Sequence, residues 1–261
     1  MAVLRGRVSP VAAVAAGILL LGSASYLDRI PAPGPKPEGL ASDGTSLWLA
    51  DFDTNRIYRI DPLHPETVVS FPAPGAGPEG LAWDGTHLWA GSWYARKIYR
   101  LAVSDTALTV VRSFDPPSGA RPVGLAWDGT QLWHTTWNPK ALHRLDPMTG
   151  EVLFTRAIPG DPALYPAGSG VYGPEDLAWD GTGLWITDWY GGKVFRLDPQ
   201  TLAITHTVPS GGRRSVGLAF HQGFLWNGDT EEAALFRLDV TPVEPMSWGR
   251  VKRGREFFRE P

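Results

Sequence analysis

GLAWDGTHLWAGSWYARKIYRL, residues 80–101, carries the pattern that decides the fold. Gly80 to Trp83 reads as a short apolar strand, and Asp84-Gly85 as the tight turn ending it, since both residue types tolerate positive φ. A second strand starts at Leu88-Trp89 and a third at Ile98-Tyr99-Arg100-Leu101. The opening decamer recurs as GLASDGTSLW from Gly39, GLAWDGTQLW from Gly124, DLAWDGTGLW from Asp176 and GLAFHQGFLW from Gly217. The tryptophans closing these copies, Trp48, Trp89, Trp133, Trp185 and Trp226, stand 41, 44, 52 and 41 residues apart. Nine residues after each, an apolar residue opens a further strand, at Ile57, Ile98, Leu142, Val194 and Leu235. A fourth run, such as TVVSFPAPG from Thr67, leads into the next copy. Each unit therefore holds four strands, a to d. Four antiparallel strands repeating every roughly 40–50 residues mark propeller blades around a central channel.

The expected fold is all-β: a five-bladed β-propeller of four-stranded antiparallel blades over residues 25–240. Residues 26–38, YLDRIPAPGPKPE, align with the d-strand run VVSFPAPGAGPE at 68–79, yet no a, b or c strand precedes them. An orphan d strand makes sense if it completes the last blade and closes the ring, leaving no open sheet edge. The tail, 241–261, has no GLAWDG or IYRL element from which to build a sixth blade. It mixes Arg250, Lys252, Arg253, Arg255 and Arg259 with Trp248, Phe257 and Phe258. Three readings stand for it: a loosely packed terminus, a strand added to blade five, or a basic-aromatic contact surface.

Residues 1–24 read as a signal peptide or N-terminal anchor. Arg5 and Arg7 precede an apolar stretch from Val11 to Leu21, and Gly22-Ser23-Ala24 supplies a small-x-small cleavage pattern. The expected location is extracytoplasmic, periplasmic or secreted, with membrane tethering if the segment is retained. The chain has 24 Lys+Arg against 27 Asp+Glu, a formal net charge of −3 and no cysteine. Zero cysteine removes disulfides, thiol nucleophiles, Cys-ligated zinc and iron–sulfur clusters. No dense basic run precedes residue 250, so nucleic acid is not an expected partner, and a monomer is expected.

The PEGLAxDGTxLW…IYRLDP pattern resembles the extracytoplasmic β-propeller superfamily of NHL-type repeats, gluconolactonase-like lactonases, streptogramin lyases and glutaminyl cyclotransferases. The resemblance covers about residues 26–240 and implies the fold. In its gluconolactonase-like members it implies a divalent cation at the channel mouth, held by a Glu at the start of an inner strand. Glu38, Glu79 and Glu175 match that position. Calcium is then the implied cofactor, and a lactonase or esterase the implied activity. Glutaminyl cyclotransferases instead carry a Glu just after the aromatic residue of a strand b. Here Leu49, Ala90, His134, Ile186 and Asn227 hold that place, none of them a carboxylate.

The five copies also allow an internal comparison. Residues repeated in every copy, the five tryptophans and Arg59, Arg100, Arg144, Arg196 and Arg237, are assigned to the blade itself. Polar positions that differ between copies are where function can break the symmetry. The d–a and b–c loops share one face, the top. Before each GLA segment stand Glu38, Glu79, Val123, Glu175 and Val216, so three carboxylates should ring one mouth. Like charges gathered there need a cation, a ligand, or salt bridges to Arg121 and Arg214 two residues before the valines. The b–c corners add Asp51, Asp188 and Asp229, readable as ligand-binding groups or as turn caps. Beyond them stand the aromatic and polar residues Trp93, Tyr94, Trp137, Asn138, Trp189 and Tyr190. The long linker before Pro174 should bring Tyr165 and Tyr172 over the same mouth.

Motif matches elsewhere fail on context. Gly168 to Gly173 fits G-x-G-x-x-G, but a strand follows where a dinucleotide site needs a helix. Asp51-Phe52-Asp53 starts like a calcium loop, but Arg56 replaces its glycine and Pro62 its closing Glu. The leading expectation is an exported propeller binding a small molecule, glycan or peptide on its top face. A calcium-dependent lactonase or esterase and a glutaminyl-peptide cyclotransferase are the alternatives.

Overall fold

The computed structural model describes residues 26–137, 139–158, 174–189 and 191–240. The N-terminal segment 1–24, the tail 241–261, Asn138, Tyr190 and the linker bearing Tyr165 and Tyr172 lie outside the described residues. Among the described residues twenty strands form five four-stranded antiparallel sheets, the five blades expected from the repeats. Blade one runs outward from strand a (Pro37–Ser42) through b (Leu47–Asp51) and c (Arg56–Asp61) to d (His64–Pro72). Blades two to four repeat this order, with inner strands Pro78–Trp83, Pro122–Trp127 and Pro174–Trp179. Blade five has strands a to c at Ser215–His221, Phe224–Asp229 and Ala234–Leu238. Its outer strand is Tyr26–Pro31, pairing antiparallel with strand c so that Ile30 faces Leu235 and Pro31 faces Ala234.

Between blades lies the core. Trp48 packs with Leu81, Leu88 and Ala90 of blade two, and Trp226 with Leu40, Leu47 and Leu49 of blade one. Each blade tryptophan thus fills the gap to the next blade, and the last one reaches the first. The Asp-Gly-Thr turn orients the indole. Asp43, Asp84, Asp128 and Asp180 accept the Nε1–H of Trp48, Trp89, Trp133 and Trp185 at 2.8–3.0 Å. The repeated arginine of strand c belongs to the same corner. Arg100 pairs with Asp84 at 2.7 Å and Arg196 with Asp180 at 2.6 Å. Arg59 and Arg144 lie over the indoles of Trp48 and Trp133.

Inner strands crowd the axis at one level. A Cβ on Gly39, Gly80, Gly124 or Gly217 would fall 2.2–2.4 Å from a carbonyl of the next blade, so only glycine lets these backbones approach. Blade four departs from the rule with Asp176.

Candidate functional site

Strand a of each blade starts at the top of the channel, so the residue ahead of its glycine faces the axis. Glu38, Glu79, Val123, Glu175 and Val216 therefore come together with Asp176 around one small cavity of about 10 Å³. That is room for about one water. Glu79, Glu175 and Asp176 are buried, and the Glu38 side chain is 11% exposed. Burial is the chief cause that pushes the Glu38 carboxyl up to about 8, opposed by Lys36 and reinforced by Asp176. Burial also raises Glu79 well above the ordinary carboxylate range, with the charges of Glu38 and Glu175 adding to it. Glu175 is raised for the same reasons, while a hydrogen bond from Trp137 pulls it back. The mouth therefore holds protons at neutral pH that ordinary carboxylates would have lost.

Compensation of the three glutamates differs from the expected salt bridges. Lys36 stands 3.9 Å from Glu38 and covers the ring of Phe52 at 4.0 Å. Arg121 instead lies 4.4 Å above the indole of Trp93, and Arg214 pairs with Glu231 at 3.5 Å. The Arg residues two places before the valines thus serve the rim, not the mouth.

Beside the mouth three tryptophans form a crescent across blades two to four. Trp93 meets Trp137 edge-on at 5.8 Å, and Trp137 meets Trp189 at 5.4 Å. All three are half-buried, and the central Trp137 donates its Nε1–H to Glu175 Oε1 at 2.9 Å. Tyr94 is 65% exposed and leans on Phe52, farther along the rim. Trp93, Trp137, Trp189 and Glu175 are thereby joined into one surface.

Of the three corner aspartates, Asp51 and Asp229 have the turn-cap geometry. Asp51 accepts the backbone N–H and hydroxyl of Thr54 on one oxygen and the backbone N–H of Lys36 on the other. Asp229 accepts the N–H groups of Glu231 and Glu232, and that of Arg214 on its second oxygen. Both carboxylates are fully buried and bind the d–a loop to the b–c corner, so they build the rim. Asp188 is buried at the same corner of blade four.

Asp176 is the residue that sequence reasoning passed over. Its signal was present, since blade four alone writes DLAW where the other copies write GLA. The polar oddities His134 and Asn227 are core residues. His134 is buried against the carbonyl of Gly124 and stacked on His143, and burial holds its pKa down to about 3. Asn227 donates to Ser215 Oγ and to the carbonyls of Gly217 and Gly228.

Among the described residues no three His, Asp or Glu side chains are arranged to hold a metal ion, the mouth glutamates included. Nor is any described helix long and apolar enough to cross a membrane.

Fold and site together define a five-bladed β-propeller with an aromatic top face over an acidic mouth. No family model and no curated protein matches the chain. Solved structures do. A glutaminyl cyclase from Myxococcus xanthus superposes with a TM-score of 0.65 at 14% identity, over 82% of this chain and 94% of that one. A chain of the nidogen/laminin complex gives 0.53 at 20% identity, over 78% and 76%. Virginiamycin B lyase from Staphylococcus aureus is looser, 0.48 at 22% identity, over 81% and 69%. At these identities the likeness is one of fold.

Proposed function

We propose that the protein is an exported propeller whose top face binds a small molecule, glycan or peptide. The ligand's body lies across the tryptophan crescent, and one polar group meets the mouth. The observation that carries this reading is the mutual contact of Trp93, Trp137 and Trp189 beside the axis, with the middle indole tied to a buried carboxyl. Indoles supply large rigid contact area with few rotamers to freeze. A mouth of about 10 Å³ admits no sugar ring or side chain, so the tryptophans must carry most of the contact. Export is supported by Arg5, Arg7, the apolar stretch after them and Gly22-Ser23-Ala24. The test is calorimetric screening of glycans, cationic small molecules and short peptides against the native protein and the Trp137→Ala/Trp189→Ala double variant. Binding should weaken at least tenfold in a variant that keeps its circular dichroism spectrum. Unchanged affinity would move the ligand off the crescent.

A second reading, glutaminyl-peptide cyclotransferase, is favoured by one feature. Glu175 is a buried carboxyl with a raised pKa, held under an aromatic roof by Trp137, and such a group can pass a proton near neutral pH. The carboxylate after the aromatic residue of strand b is missing, so the mouth glutamates would have to serve in its place. Incubation with a Gln-initiated dipeptide, followed by mass spectrometry for ammonia loss, decides between the readings. Loss above the spontaneous rate that vanishes in Glu175→Gln would establish the enzyme.

A further inference from the structure

The waist of the channel, just below the glutamates, poses its own electrostatic problem. Strand a is the free edge of every blade, so alternate N–H groups have no sheet partner and point at the axis. The leucine after the repeated glycine stands at this level in all five blades: Leu40, Leu81, Leu125, Leu177 and Leu218. Five-fold closure makes their amide dipoles converge, and converging N–H groups form a cavity suited to an anion.

Asp176 sits in that convergence. One carboxylate oxygen accepts Leu40 N–H of blade one at 3.0 Å and Leu218 N–H of blade five at 2.9 Å. The other accepts Leu125 N–H of blade three at 3.2 Å. The amide of Leu177, its own neighbour, also bonds the carboxylate, and Thr187 Oγ1 holds the Asp176 N–H at 2.9 Å. Asp176 is 3% exposed, and burial pushes its carboxyl up to about 8 against the pull of the amides of Leu218, Leu40, Leu177 and Leu125. Yet the partners of its oxygens are all N–H donors. A protonated acid would turn its own O–H against one of them, so only the ionised form satisfies the whole set.

We infer that the ring closes around an axial anion site built from inward backbone amides, and that Asp176 is its resident anion, standing where a small inorganic anion such as chloride would otherwise bind. The carboxylate ties blade four to its neighbours three and five and, across the channel, to blade one, a link that contacts between adjacent blades cannot make. Its charge also faces Glu38, Glu79 and Glu175 above it, with Lys36, Asp51 and Asp53 farther out around Glu38. A fixed negative charge beneath the mouth favours the protonated forms of those glutamates. The inference is independent of what the top face binds.

Asp176→Gly restores the residue of the other four blades and leaves the amides facing an open waist. In chloride-free gluconate buffer the variant should melt about 5–10 °C below the native protein. Chloride or bromide should recover part of that loss with a saturating dependence absent from the native protein. A crystal of the variant grown with bromide should give an anomalous peak among the amides of Leu40, Leu125 and Leu218. A variant as stable as the native protein, or one with the native halide response, overturns the inference. Should the variant not fold, the native protein still decides the matter: the ¹³C resonance of the Asp176 carboxyl is expected at the ionised position at pH 7. A protonated resonance there overturns it.

Discussion

Glu79 is buried at 7% exposure and, among the described residues, receives no hydrogen bond, which leaves it the least compensated carboxyl of the mouth. Burial and the two neighbouring glutamates raise its pKa in the folded chain above the value of about 4.3 expected in the unfolded one. The sign of the linkage follows. Its contribution to stability is fully present below about pH 4.3 and is lost as pH rises through the folded value. Glu79→Gln removes that loss. The variant should melt close to the native temperature at pH 4 and above it at pH 8–9, with the gap widening between, in a thermal scan across pH. A gap that does not change with pH would mean the carboxyl is not held protonated by the fold. If the top face binds its ligand at the mouth, a carboxyl that costs stability at working pH is one a site keeps for its ligand. The same variant should therefore lose affinity for whatever the crescent binds.

The Asp-Gly-Thr corner shows how one short element carries several loads. Asp180 accepts the N–H groups of Thr182 and Gly183 on one oxygen, and the indole of Trp185 and the Nε of Arg196 on the other. These bonds hold its carboxyl well below the usual range even though burial opposes them. Stability from this corner is therefore present above about pH 3.9 and fades as the solution is acidified toward the folded value. Asp180→Asn keeps the shape but loses the charge, and should cost about 2–3 kcal/mol at pH 7 in urea denaturation. The difference from the native protein should shrink in acid. Trp133→Ala, by contrast, empties the seam between blades three and four and should cost about 3–5 kcal/mol at any pH. Turn, strand order and blade count were legible in the sequence because each depends on neighbours within about ten residues. The partner of Arg196 was not, since its meeting with Asp180 needs the register that pairs it with Trp185. The same holds at the mouth. Spacing placed Glu38, Glu79 and Glu175 on one ring, but only the assembled ring puts Asp176 within reach of three other blades. Asp51 and Asp229 were ambiguous for a related reason: a cap and a ligand group look alike until the d–a loop is seen donating to them.

At the scale of the molecule, the seam between blades five and one is unlike the other four. Elsewhere strand d follows strand c of its own blade along the chain before the d–a loop enters the next blade. Here the strand Tyr26–Pro31 pairs with blade five while its own continuation enters blade one at Pro37. The covalent link and the sheet edge are supplied by the same few residues. Ile30, 6% exposed, packs with Leu235 on one side and with Leu40, Leu49 and Tyr58 on the other, so it belongs to both blades. Deleting residues 26–31 should cost about 1.5–3 kcal/mol for Ile30 alone, and further for the bared edge of Ala234–Leu238, which invites pairing with other chains. Moving that segment to follow Val240 through a short flexible linker separates the two roles, since the edge is covered again but blade one begins the chain untethered. The expected order of melting temperatures is native, then rearranged, then deleted, with only the deleted chain forming larger species in size-exclusion chromatography. A rearranged chain as stable as the native one would mean that covering the edge is the whole contribution. A rearranged chain no better than the deletion would mean that the tether holds the ring, with the strand pairing secondary to it. The intermediate position is expected because Trp226 already packs across this seam against Leu40 and Leu47, holding blade one in place without any covalent help.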